Sequence, residues 1–160
     1  MAELRYNTLV KYIITALSLL SIFLSSCSTM NNRQTVLAAG DISADLVSGD
    51  AEALSLQSGT PFLFETEILP APAQLDALWQ GLAASGYDFG PSGEITVLDP
   101  DDDSWRRFSS SREVEVWFQR HAPSKAALVV IPTSSGRLVL IIDRDRRDRK
   151  PLRGLKVEEM

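Results

Sequence analysis

An α+β fold, with N-terminal helices packed on a curved, mostly antiparallel sheet, is predicted by three patterns in this chain. Leu75, Leu78, Trp79 and Leu82 recur at i, i+3, i+4 and i+7, the apolar stripe of an amphipathic helix. Residues 126–132 and 137–143 are two β-rich runs joined by Thr133-Ser134-Ser135-Gly136, which reads as a hairpin. Over 62–68, Phe62, Phe64, Thr66 and Ile68 fall on one face and Leu63, Glu65 and Glu67 on the other, the alternation of a half-buried strand. The alternative architecture is a generic α+β sandwich with helices on one face of the sheet.

The elements follow in order. Over 34–57, Val36, Leu37, Ile42, Leu46, Val47, Leu54 and Leu56 fall on roughly helical spacing, broken at Gly40 and at Ser48-Gly49-Asp50, so two short helices are expected. Pro61 opens the strand at 62–68, and Pro70 and Pro72 close it. The helix over 73–85 ends at Gly86, where a C-terminal cap belongs, and 87–93 is a turn-rich connection. A short strand is expected at 94–98. Segment 110–121 fits two patterns: Val114, Val116 and Phe118 alternate like a strand, while Val114, Trp117, Phe118 and His121 suit a helix. The helix is favoured, because Ser110 and Glu113 have capping-box spacing and Pro123 supplies a stop. After the hairpin, where Pro132 suits a strand end, a last strand is expected at 152–157.

With a strand at 110–121 the order would be helix, helix, strand, helix and then antiparallel strands. That order resembles the NTF2-like fold, a cone in which a curved sheet wraps helices. Gly49-Asp50-Ala51 between the first two helices, Pro61-Phe62-Leu63-Phe64 after them and Arg153-Gly154-Leu155-Lys156-Val157 as the closing strand carry the resemblance. It implies a pocket at the open end of the cone, lined by aromatics such as Phe62, Phe64, Trp79 and Phe118. An enzyme built this way would hold a convergent acid–base pair inside. A helix at 110–121 departs from that order.

Ahead of the domain, Arg5 and Lys11 form a positive n-region and 12–24 an apolar run of the length of a cleaved signal rather than a membrane span. An uncleaved anchor would need a longer stretch than one diluted by Thr15, Ser18 and Ser21. A plain secreted form would carry an odd free thiol into an oxidising compartment. Leu24-Ser25-Ser26-Cys27 resembles the lipobox of bacterial lipoproteins, which implies alkylation of the Cys27 thiol by diacylglycerol, removal of 1–26 and acylation of the new amino terminus. Ser28, in place of an aspartate, favours the outer membrane where the cell has one. The reading then divides the chain into a leader (1–26), a lipidated cysteine with a polar tether (27–35) and one α+β domain (36–158).

Removing the leader leaves 134 residues, 14 basic and 20 acidic side chains and a balance of −6. Such a surface does not seek nucleic acid as a whole. With Cys27, the chain's one cysteine, acylated, stability rests on packing without a disulfide. No cofactor is implied, and oligomeric state carries no signal.

Chemistry is sparse. No nucleophile elbow, phosphate-binding glycine loop, paired CxxC or zinc-protease motif occurs, so no catalytic or metal-ligating set is assigned. His121, the chain's one histidine, suits a helix C-terminus. Asp99, Asp101 and Asp103 start like a calcium loop, but Ser104 and Ser110 replace its glycine and bidentate glutamate, so a solvated turn is the expectation and a weak cation turn the alternative. Glu65 with Glu67, and Glu113 with Glu115 if they lie on a strand, could act as carboxylate pairs, though exposed strand faces look the same. The run Arg144-Asp145-Arg146-Arg147-Asp148-Arg149-Lys150 reads as a hairpin tip. Its functional alternative is a docking patch, Arg144, Arg146, Arg147, Arg149 and Lys150, for anionic phospholipid, cell-wall polymer or an acidic envelope protein.

Overall fold

The computed structural model describes residues 29–145, 147 and 149–159. Helix α1 (Asn32–Ser48) starts on a reciprocal capping box: the Asn31 side chain accepts the Gln34 N–H at 3.0 Å, and the Gln34 side chain accepts the Asn31 N–H at 3.1 Å. It passes through Gly40 unbroken, because the buried stripe of Ala39, Ile42, Ser43 and Leu46 continues across that residue. The expected break therefore falls only at Gly49, whose φ of 70° makes the left-handed cap. Helical structure also begins earlier than the predicted tether allows. Asp50 caps α2 (Ala51–Gln57), accepting the Ala53 N–H at 2.9 Å.

The run read as one strand over 62–68 is a tight hairpin, β1 (Ser58–Phe64) and β2 (Glu67–Leu69). Phe64 pairs with Glu67, and Glu65 takes a φ of 53° in the two-residue turn. Ile68 is thereby brought beside Leu63 rather than onto the face of Phe62. Alternation alone could not reveal a reversal this short. Helix α3 (Pro72–Ser85) has Pro72 in its first turn and Gly86 at φ 69° beyond its end. Next come β3 (Thr96–Leu98), a 3₁₀ turn (Ser104–Arg107) and helix α4 (Arg112–His121).

The helical reading of 110–121 holds, with the cap one residue later than Ser110: the Ser111 hydroxyl accepts the Val114 N–H at 3.3 Å. Helical geometry puts Val114 and Trp117 on one buried face, where a strand would part them. Trp117 Nε1 donates to the Pro61 carbonyl at 3.2 Å, tying α4 to β1. Strands β4 (Ala126–Thr133) and β5 (Gly136–Asp143) form the expected hairpin with Thr133 paired to Gly136, and β6 (Leu152–Glu159) follows.

The sheet runs β2-β1-β6-β5-β4-β3, every neighbouring pair antiparallel except β1 with β6. Its two faces carry separate cores. On one, Ala39, Ile42 and Leu46 of α1, Leu54 of α2 and Leu75 and Trp79 of α3 pack on Val129, Leu138, Leu140 and Leu155. On the other, α4 and Phe108 cover Leu63, Leu128, Val139 and Ile141. The fold is α+β as expected, with helices on both faces rather than one. The helix at 112–121 departs from the element order on which the NTF2-like resemblance rested.

Arg107 fixes the 3₁₀ turn to β6 through a two-pronged pair with Glu158, at 2.8 and 2.9 Å. Hydrogen bonding from Arg107 holds the Glu158 carboxyl below its ordinary 4.5, against the opposing effect of burial. A carboxyl lowered by folding contributes stability that is present above the unfolded value and lost as the pH falls through the folded one. Glu158→Gln should therefore lower the urea midpoint at neutral pH, with the gap to wild type closing in acid below pH 4.5. A gap that persists unchanged in acid would assign the loss to packing.

Two glycines should respond oppositely to alanine. A Cβ on Gly154 would lie 2.8 Å from Ile141 Cδ1 and 2.9 Å from the Leu63 carbonyl oxygen, where β6 is flanked by two strands. Gly154→Ala should destabilise by about 1–3 kcal/mol. A Cβ on helical Gly40 meets nothing within 4 Å, so Gly40→Ala should stabilise by about 0.5–1 kcal/mol, read from the same urea curves.

Candidate functional site

The basic run lies in the β5–β6 connection. Arg144 turns inward. Its guanidinium donates to the carbonyls of Lys125 at 3.4 Å and Ala126 at 3.3 Å, to Asn32 Oδ1 at 3.4 Å and to the Asp99 carboxylate. The Arg144 carbonyl accepts the Met30 N–H at 2.7 Å, and Thr29 bridges to Asp145. Arg144 thus clamps residues 29–32, and its guanidinium is engaged within the fold rather than presented beside the later basic residues of the run. Arg147, Arg149 and Lys150 are exposed. Arg146 and Asp148 lie outside the described residues, as does Cys27.

Two of the acids at this end, Asp143 and Asp145, accept backbone N–H groups of the connection. Asp143 is 8% exposed; it accepts the Asp145 N–H at 2.9 Å and stands 4.0 Å from Arg153. Asp145 accepts the Arg147 N–H at 3.0 Å and pairs with Lys125 at 3.6 Å. That N–H first, and Lys125 after it, hold its carboxyl below the usual range.

The three aspartates of the acidic turn do not converge. Asp99 is taken by Arg144. Asp101 accepts the Ser104 hydroxyl at 2.7 Å and the Asp103 N–H at 3.1 Å, and the Ser104 bond keeps its carboxyl low. Asp103 pairs with Arg106 at 2.8 Å. Among the described residues no group of three or more His, Cys, Asp or Glu side chains could hold a metal ion. The aspartates instead build the turn that starts the 3₁₀ segment.

Beside this turn lies a feature that sequence reasoning missed, an open cleft of about 450 Å³ between residues 100–106 and the outer side of α4. Trp105 and Phe118 give it an aromatic wall, and Asp101, Asp102, Asp103 and Glu115 an acidic rim. Arg106 lies over the Trp105 ring, 4.8 Å from its centroid. Glu115 is held by Arg112 at 2.7 Å and Gln119 at 3.2 Å. The signal was the pairing of Trp105-Arg106 with a helix at 110–121, but their approach depends on the sheet between them and α3.

The aromatic set expected to line one pocket is divided. Phe62 and Trp79 are both fully buried and meet edge-to-face, with ring centroids 5.5 Å apart. Phe118 lies on the opposite sheet face, packed on Phe108 and Trp117. Neither carboxylate pair forms an acid–base couple. Glu65 sits in the β1–β2 turn and accepts the Val157 N–H at 2.6 Å; burial raises its carboxyl, against that bond. Glu67 is exposed on the next strand, and Glu113 and Glu115 lie in the first turn of α4. His121 is exposed in the last turn of α4, as expected for a helix end.

Among the described residues no helix is long and apolar enough to cross a membrane. Comparison with protein-family models, curated protein sequences and solved structures finds no match.

With Asp99, Asp101 and Asp103 each already bonded to a separate partner, titration of the purified protein with millimolar calcium should release no heat beyond dilution. Saturable heat abolished by Asp101→Asn would overturn this account of the turn.

Proposed function

We propose that this chain is a lipid-anchored envelope protein whose α+β domain serves in binding or assembly at the membrane surface. In this reading 1–26 is removed, Cys27 is acylated and the protein is held in the outer membrane of a cell that has two. The observation that carries it is Leu24-Ser25-Ser26-Cys27 behind a basic residue and an apolar run. Support also comes from the Thr29–Asp145 bridge, which ties the chain to the domain two residues after the cysteine. Two or three acyl chains give attachment that one would not.

Binding is favoured over catalysis by the distribution of space and chemistry. The helix-covered face that an NTF2-like enzyme would use for its pocket is filled by Phe62, Trp79 and Leu140. In the open cleft Asp101, Asp103 and Glu115 are engaged with neighbouring serine, arginine and glutamine groups, chemistry that suits a recognition surface better than proton transfer.

The intact mass of the protein purified from membranes, beside a Cys27→Ala version, tests this reading. The expected mass lacks the first 26 residues and gains acyl chains, and the variant keeps its leader. An unmodified full-length mass would make the leader the anchor and Cys27 a free thiol.

A further inference from the structure

We propose that the β5–β6 connection is the membrane-facing end of the domain and docks on anionic phospholipid headgroups through Arg147, Arg149 and Lys150. The inference rests on the lipid-anchor reading and adds to it an orientation and a lipid class.

Three observations converge. The Thr29–Asp145 bridge and the Met30–Arg144 hydrogen bond fasten the start of the fold to this connection and to no other end of the sheet. Cys27 is two residues from Thr29, a reach of about 7 Å for extended chain, so acyl chains on Cys27 would hold the connection within roughly one Debye length of the headgroups. Among the described charged groups there, Asp143 and Asp145 accept backbone N–H groups of the connection and Asp99 pairs with Arg144, and the side chains of Arg147, Arg149 and Lys150 are exposed. Arg33, exposed in the first turn of α1, adds a positive group near the same end.

Anionic lipid is the occupant these observations favour. A bilayer is the one surface that an anchor at Cys27 would present to this end at every moment, and its charge is opposite. The far end, at Ser134 and Ser135, lies about 25 Å away along eight-residue strands.

The test uses the full protein, reconstituted in nanodiscs of phosphatidylcholine with or without phosphatidylglycerol, each with a headgroup spin label. Paramagnetic broadening is read at every assigned amide. Broadening should centre on 147, 149 and 150 in phosphatidylglycerol, spare Ser134 and Ser135, and fall when salt is raised. In Arg147→Ser/Arg149→Ser the phosphatidylglycerol-dependent part should be lost: each basic residue near an anionic surface strengthens contact roughly fivefold, so removing two weakens it about twenty-five-fold. Equal broadening with and without phosphatidylglycerol, no change in the double variant, or broadening centred on the Trp105 cleft would overturn the proposal. Protection of these amides by a soluble anionic polysaccharide, with no effect of phosphatidylglycerol, would overturn it in favour of a wall polymer. The intact mass of the same sample separates the two ideas: an acylated chain without lipid-dependent broadening sinks docking alone, and an unacylated chain with it sinks the anchor alone.

Discussion

Burial of β5 on both faces is the constraint from which the rest of the architecture follows. Leu138, Leu140 and Ile142 point into the core beneath the first three helices, and Val139 and Ile141 into the core beneath α4. None of the five is exposed to solvent. Each such side chain contributes about 1.5–3 kcal/mol only while it stays out of water, so neither helical layer is dispensable. The central place of β5, between β4 and β6, also satisfies its backbone on both edges. The sheet's own edges fall to three-residue strands, β2 and β3, too short to invite pairing with another chain.

A strand buried in this way must still leave the core, and Arg144 stands at that exit. The chain turns there from apolar residues to an arginine whose side chain reaches the start of α1, the start of β4 and the residue after β3. Those are charge-assisted hydrogen bonds to groups otherwise left at the margin of two cores. The backbone of the same residue holds Met30. One residue therefore couples the start of the fold to the exit of its central strand, and the arginines that follow it inherit a fixed position.

Much of the fold was legible in the sequence, for local reasons. The stripe of α3, its cap at Gly86, the β4–β5 hairpin and the helical choice at 110–121 each depend on residues within a turn or two of one another. Where reading failed, the deciding contact was distant or the signal too short. Gly40 looked like a break, but burial of Ile42 and Leu46 outweighs one glycine's propensity. The β1–β2 reversal occupies two residues and carries no glycine or asparagine, so strand alternation ran straight across it. The continuous runs of β4 and β5 did hold a sign that both sheet faces are covered, since a half-exposed strand would alternate. Of the candidate sites, Arg144 and the acidic turn looked chemically suggestive because their charges were visible and their partners were not. The Trp105 cleft was invisible because its two walls meet only through tertiary packing.

The separation of these charges also bears on what the domain can recognise. In the acidic turn, serine and arginine partners lie next to the aspartates in sequence, so the turn satisfies itself and leaves Asp102 at the rim. In the β5–β6 connection, Asp143 and Asp145 are held by backbone N–H groups and Asp145 by Lys125, while Arg147, Arg149 and Lys150 are exposed. A negatively charged protein thus exposes three basic side chains on the connection that Thr29 bridges. On a long flexible tether that placement would average away as the domain tumbled. If Cys27 is acylated as proposed, one residue would separate it from the Thr29–Asp145 bridge, and the domain would keep that end toward the bilayer.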